Sequence, residues 1–345
     1  MSDDLQPISP ADARDLHLEA LQDEAADWTY QSHESHLRAF IEWCEEVREL
    51  ENMNDLSGRD IFQFRRWRRS GGYSQGKDEE IAPRTLASAL NVVRVFLRFC
   101  GQIEAVDPDL YERVDLPSLS KDDQVSDSTI EPERVPPILD YLTKYEYGSR
   151  DHAVWALVWH TGVRVGGLRA LDLGDVHLDD DTPHIELVHR PGTGTPLKNQ
   201  VDGQRTNRIS LRVADILGDY VDGPRVEKTD DHGRKPLITT RQGRISQSAV
   251  RRTFYRWTRP CSIASCPHGK DPETCEYMPA HQMSKCPSTR SPHDVRKARV
   301  TRYRNDNVPR AIVSDRLNAS EDVLDLHYDR ASDLEKANRR WEFLE

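Results

Sequence analysis

The sequence holds no apolar run of about 18 residues, the length a helix needs to cross a bilayer, so no membrane span is expected. Its opening, MSDDLQPISPAD, is acidic and polar and unlike a secretory leader, which points to a cytoplasmic location. Lysine is scarce, with 10 residues against 38 arginines. Net positive charge is lacking as well. The 48 Lys and Arg are outnumbered by 59 Asp and Glu, leaving −11. Binding a polyanion through overall charge is therefore excluded, and any such binding must use local patches. An acidic, lysine-poor surface keeps a protein soluble when salt screens its charges, so the composition suggests a salt-adapted proteome. Only two of the six cysteines lie outside residues 261–286, and no CxxC pair occurs. A disulfide scaffold is not implied.

What is present divides unevenly. Residues 1–115 carry 13 basic and 24 acidic side chains, whereas 116–345 carry 35 of each. A length of 345 residues favours two or three domains. Helical spacing runs through 10–27, 29–50, 57–69 and 84–100, with Leu37, Phe40, Ile41 and Cys44 on one face. Thr29 or Ser32 can cap the second of these. The third ends in Arg65-Arg66-Trp67-Arg68-Arg69, a basic cluster suited to phosphates or, more blandly, a solvated helix face around one buried Trp. Residues 1–115 read as a helical domain and 116–131, rich in Ser and Asp, as a linker.

From 132 to 345 the pattern is mixed. Helices are expected over 131–145 and 150–160, strands at 184–190 and 208–211 with a polar loop between, and helices at 212–222 and 246–259. The fold class is thus mainly α with a small antiparallel β-sheet. The helix at 246–259 presents Arg251, Arg252 and Arg256, a second candidate for nucleic-acid contact. Cys261, Cys266, Cys275 and Cys286 follow as an insert at 261–286, with His268 and His281 among them. In a reducing compartment, four such thiols suit a structural zinc. Cys44 and Cys100 read as core residues.

Ser291 to Arg330 carries the densest chemistry. Ser291, Pro292 and Asp294 form a helix-start signature. His293 and Arg296, three apart, share a helix face and suit a phosphate, since Arg offers a forked donor and His can move a proton. Tyr328 lies 32 residues after Arg296 and can act as a nucleophile. Upstream, Thr161-Gly162-Val163-Arg164 sets an arginine at a turn beside an apolar helix, a position suited to an anion ligand.

These residues, in this order, resemble the tyrosine recombinase (integrase) family. Thr161, Gly162, Arg164, Leu168, Leu171, Asp175 and Val176 match its first arginine motif, while His293, Arg296, Thr301 and Tyr328 match its second half. Two positions depart. Gly167 stands where the family carries an acid, and Ala319 where it carries a His or Trp that helps bind the phosphate. Asn318 and His327 are candidate substitutes. The resemblance implies a helical core-binding (SAM-like) domain that clamps double-stranded DNA, joined by the linker to an α+β catalytic domain. It implies that Arg164 and Arg296 hold the scissile phosphate, His293 assists proton transfer, Lys198 in the β-hairpin loop protonates the leaving oxygen, and Tyr328 becomes joined to the 3′ phosphate. No cofactor is needed for that chemistry. A tetramer on paired sites is implied, with the helix at 331–345 docking on a neighbour. Two alternatives stay open: a DNA-binding protein on this fold that has lost cleavage, and a zinc-containing transcription regulator. A type IB topoisomerase shares the chemistry.

Overall fold

Several helix ends in this chain are set by small polar caps, Ser57, Ser149, Ser210, Ser246 and Ser291 among them, or by Gly162 and Asn318 in left-handed turns. A computed structural model describes residues 5–24, 27–73, 80–120, 123, 128–179, 181–324, 334, 337 and 341. The chain forms two compact units, Met1–Val125 and Ser126–Glu345.

The first unit contains α1 (Pro10–Glu24), α2 (Asp27–Glu42), α3 (Gly58–Arg69) and α4 (Pro83–Gln102). Thr29 and Ser32 lie inside α2 and do not cap it, since the helix already begins at Asp27. It continues into a π-helical turn, Trp43–Val47, that buries Trp43 and Cys44 and ends at Glu49 with φ +54. Ser57 and Asp60 cap α3 reciprocally. Asp60 also accepts from Arg48 at 2.6 Å. Phe40, Phe64 and Phe96 meet edge to face at the centre. Leu37, Ile41, Cys44 and Cys100 complete the same core.

The second unit is built around α6 (Arg150–Thr161), in which every side chain from Asp151 to Val158 is buried. Its neighbours are α5 (Val135–Tyr145), α8 (Leu211–Asp222), α9 (Gln247–Thr258) and α10 (Pro292–Asn305). The short helices α7 (Val165–Ala170), α11 (Arg310–Leu317) and α12 (Glu321–Val323) complete it. One buried carboxylate ties α6 to α9: Asp151 accepts from Trp257 Nε1 at 2.9 Å and from Thr253 Oγ1 at 3.1 Å. The sheet is antiparallel in the order β1 (Val176–His177), β2 (His184–Leu187), β3 (Arg205–Arg208). Leu187 pairs with Arg205 and His184 with Arg208. The returning strand therefore lies at 205–208, not at the expected 208–211. Ser210 is taken by a different task, capping α8 through Val213 N–H. Strand β2 stops at Leu187 rather than 190, and Arg190 turns to a carboxylate. A minimal hairpin, β4 (Thr239–Thr240) with β5 (Gly243–Arg244), adds a second sheet.

Three aspartates and three arginines hold the strand region to that hairpin. Arg190 bonds Asp175 through both terminal nitrogens, at 2.9 and 2.6 Å. Arg244 reaches Asp172 and Asp230, each at 2.6 Å, and Arg234 lies 3.1 Å from Asp230. Burial alone would raise the Asp230 pKa. The Arg244 hydrogen bond, two backbone N–H donors and the Arg234 charge outweigh it and hold the group at about 2. Asp172 sits between all three arginines. Asp172→Ala is expected to lower stability by about 2 kcal/mol, because it leaves three half-buried guanidinium groups short of an anion. Urea unfolding followed by tryptophan fluorescence measures it, and a loss below about 1 kcal/mol would refute the hub assignment.

Candidate phosphate site

Helix α6 ends at Gly162, which takes φ +65. A Cβ there would come within 2.3 Å of Leu317 Cδ2, so the turn needs glycine for space as well as for conformation. The turn sends the chain through Val163 and sets Arg164 as the extended residue before α7. Helix α10 begins as its sequence foretells: Ser291 and Asp294 cap reciprocally and Pro292 fills the first turn. Helix α11 ends at Asn318 in the left-handed conformation, φ +48. Asn307, φ +56, makes the turn between the two.

Arginines distant in sequence meet at these turns. Arg296 is 1% exposed. It donates to the Gly162 carbonyl and, at 2.9 Å, to the Leu317 carbonyl. Arg164 donates to the Asn318 carbonyl at 3.0 Å. Both cations thus sit on carbonyl-rich helix C-termini, where positive charge is favoured. Arg205, from β3, donates to the Arg316 carbonyl at 2.9 Å. Arg316 donates to Tyr303 Oη and to the Arg208 carbonyl. Burial first, then repulsion from Arg164 and Arg316, lowers the Arg205 pKa to about 10. Such crowding of like charge on carbonyl and phenol oxygens creates a local potential suited to an anion.

His293 stands at the edge of this group with its outer rim open to solvent. Protein atoms crowded about the ring strip hydration from it, and Lys297, Arg296 and Arg164 repel a proton while Asp294 attracts one. The net effect holds its pKa at about 4. At neutral pH the imidazole is uncharged and can accept a proton.

A polar cleft of about 400 Å³ opens beside Arg205. One wall is the loop after β2, with Asn199, Asp202 and Gln204. The other is the end of α11, with Ser314, Asn318 and Ser320. Asn318 joins the walls, accepting from Asn199 Nδ2 and donating to the Asp202 carbonyl. Lys198 is exposed in the same loop, next to Asn199.

Of the two departures from the family pattern, the one at Gly167 has a packing reason. A Cβ at Gly167 would lie 2.7 Å from Val163 Cγ2 and 3.5 Å from Leu187 Cδ2. The space an acid would use is filled. Ala319 is buried in an apolar cluster with Val300, Val313, Leu317 and Leu324. Of the two candidate substitutes, Asn318 is committed to the loop after β2, and His327 lies outside the described residues. Tyr328 also lies outside them, as does most of 331–345.

The remaining candidates are scattered. In the last turns of α3, Arg65 pairs with Asp115 and Arg68 donates to the Gly72 carbonyl, while Arg66 and Arg69 are exposed. On α9, Arg251 and Arg252 are exposed, and Arg256 lies over the Trp257 ring at 4.8 Å. The zinc expectation finds no support. Among the described residues, no three ligand atoms from Cys261, Cys266, Cys275, Cys286 and the nearby histidines lie within 4.8 Å of one another. The insert is a succession of tight turns fixed by other bonds, including Arg259 to the Tyr277 carbonyl and His268 to Ser288 Oγ. Cys286 is buried beneath it while the other three are partly exposed. Arg205, with Arg208 a candidate for phosphate contact from its place after the Lys198 loop, does reach the group, whereas Arg316 gains a prominence that spacing could not give it, because only the end of α11 brings it to Arg205.

No family model matches the chain. The tyrosine recombinase XerD of Listeria monocytogenes is 23% identical over 211 residues, 61% of this chain and 63% of that relative. The match thus spans less than two thirds of the relative's length. Among solved structures, the XerH site-specific recombinase bound to palindromic difH substrate is similar with a TM-score of 0.63 at 13% identity, over 97% of this chain and 85% of that one. The Tn1549 transposon integrase in complex with a circular intermediate DNA has a TM-score of 0.63 at 12% identity, over 98% and 100% of the two chains. The fold, mainly helical with small antiparallel sheets, is that of tyrosine recombinases.

Two outcomes follow from this geometry. Gly162→Ala is expected to lower stability by about 2 kcal/mol, combining left-handed strain with overpacking against Leu317. A shift in the denaturant midpoint measures it. Acid should weaken the fold early. His17, His152, His160 and His293 each have a folded pKa of about 4, below the ordinary 6.5. Above pH 6.5 these groups are neutral folded or unfolded. As pH falls from 6.5 to 4 the unfolded chain takes up protons that the folded chain does not, so stability declines through that window. A stability curve flat from pH 7 to 5 would contradict the assignment.

Proposed function

We propose that this chain is a DNA strand-cleaving and rejoining enzyme of the tyrosine recombinase family, acting at specific sites through a nucleophilic Tyr328. One observation carries the reading. Arg164 and Arg296, separated by more than a hundred residues, converge on the Gly162 and 317–318 turns beside an uncharged His293.

In this reading the scissile phosphate of double-stranded DNA is drawn to the Arg164 side of the cluster. Attack by the Tyr328 oxygen builds charge on the nonbridging oxygens, and fixed cationic donors lower that barrier. Arg164 supplies a donor directly. Arg296 fixes the two turns that frame the site and reaches the phosphate when its carbonyl partners yield. His293 takes or returns a proton, and Lys198 protonates the leaving 5′ oxygen. A 5′ hydroxyl of the partner strand then attacks the 3′-phosphotyrosine, releases the tyrosine and reseals the backbone. No metal has a part in the reaction. Arg65, Arg66, Arg68 and Arg69 of the first unit, with Arg251, Arg252 and Arg256 on α9, are assigned to DNA contact. Four protomers would act on two duplexes, as strand exchange between sites requires, and a mobile element would be a fitting source for such a chain. The acidic, lysine-poor composition suits work at high salt, where bidentate arginine contacts outlast diffuse charge.

A second reading, DNA binding without cleavage, draws on Ala319 in its apolar cluster and on the near-complete burial of Arg296. One experiment separates the two. The protein is incubated with fragmented DNA from its own source in high salt and denatured, and any DNA left attached is sequenced. The proposal expects an adduct enriched at one sequence, abolished in Tyr328→Phe and reduced about 100-fold or more in Arg164→Ala. Site-specific binding with no adduct would establish the second reading. An adduct spread over all sequences would point to a topoisomerase.

A further inference from the structure

On the two strands that precede the loop carrying Lys198, three metal-ligating side chains share one face. His177 on β1 and His184 on β2 are directly paired across the strands. Glu186 follows His184 by two residues, which puts it on the same face. Nε2 of His177 lies 3.8 Å from Glu186 Oε1, and Nε2 of His184 lies 4.0 Å from it. One ligand atom from each residue falls within 4.8 Å of the other two. Among the described residues this is the one such group of three.

Protonation logic makes the arrangement unusual. Nδ1 of His184 is 2.9 Å from the Thr182 carbonyl. A carbonyl only accepts, so Nδ1 carries the hydrogen, and the neutral ring presents a bare Nε2 lone pair. This is the orientation that a backbone carbonyl imposes on ligating histidines. Nε2 of His177 is buried and has no hydrogen-bond partner. Two ring nitrogens and a carboxylate oxygen therefore face a common space. The two rings stack at 4.4 Å with 16° between planes, which keeps both donors on one side of the strand pair. One divalent ion can bind all three groups.

We propose that His177, His184 and Glu186 bind a divalent late transition metal ion of the zinc type. Two imidazole nitrogens and one carboxylate oxygen suit that class and not calcium or magnesium, which favour oxygen. Modest side-chain rotation on the fixed strands brings the donors to shared-ligand spacing, and a fourth position stays open to water. The ion cross-links β1 to β2, which are otherwise joined through only two residue pairs, Val176 with Ile185 and His177 with His184. It thereby fixes the strand from which the 188–204 loop departs. The site owes nothing to the cysteine insert and does not depend on the DNA-cleaving role.

The test uses the full chain freed of metal with a chelator and titrated with Co²⁺. The expected result is one Co²⁺ per chain, visible as d–d absorption without a sulfur-to-cobalt charge-transfer band, together with a rise in the thermal midpoint. The variants His177→Ala, His184→Ala and Glu186→Gln change partly exposed side chains, and circular dichroism checks their folding. The two histidine variants should lose both the absorption and the thermal shift, and Glu186→Gln should weaken them. Wild-type stoichiometry in both folded histidine variants would overturn the proposal. So would a spectrum owed wholly to thiolates, or the absence of Co²⁺ binding at millimolar concentration.

Discussion

A positive charge with almost no exposure, the Arg296 guanidinium, governs the second unit. It bridges the last carbonyl of the α6 turn and the last of α11. Helix ends leave carbonyls that lack intrahelical donors. One planar group with donors on both sides satisfies two such ends at once. A lysine has the charge but not the fork, and it could not hold both carbonyls in register. The placement of Arg164, Arg205 and Arg316 depends on this junction, because each rests on a backbone atom within a few residues of it.

The same economy recurs where Asp172, Asp175 and Asp230 meet Arg190, Arg234 and Arg244. Ion pairs at 2.6 Å lie well inside the screening length, even of concentrated salt, so they keep their strength where loose surface pairs fade. Arginine in this chain is therefore a building material as well as a ligand. Many of its guanidinium groups hold main-chain oxygens: Arg169 the Ile245 carbonyl, Arg225 that of Pro236, and Arg290 that of Thr129.

Much of this was legible in the sequence, and the rest was hidden for physical reasons. Local grammar was readable. Ser291, Pro292 and Asp294 announced α10, because a cap is satisfied within four residues. The apolar α6 announced its own burial. Strand register was not readable, since Arg205–Arg208 and Ile209–Leu211 both fit a short strand, and the decision lay with Ser210 and its helix. The minimal strand Val176–His177 exists only through its partner. Arg164 and Arg296 could be named from spacing, but that Arg296 is buried on two carbonyls came from tertiary packing. The cysteine spacing gave a ligand count but no geometry, because where each thiol stands is decided by the turns of the insert. The group His177, His184 and Glu186 was invisible for the opposite reason: its members adjoin only once β1 and β2 pair.

The link between Asn318 and the loop after β2 has a mechanical corollary. Asn318 uses both ends of its amide, one on Asn199 and one on the Asp202 carbonyl, while Arg164 grips its own carbonyl. Loop and helix end are clasped at one residue. Widening the cleft means releasing the clasp as a whole, since rotating the amide away from one partner withdraws it from the other. At roughly 1 kcal/mol for each hydrogen bond, the latch is light enough for thermal motion to undo and yet opens in a single step. The chain that leaves Asn318 toward α12 is therefore anchored to the loop after β2 at its first residue.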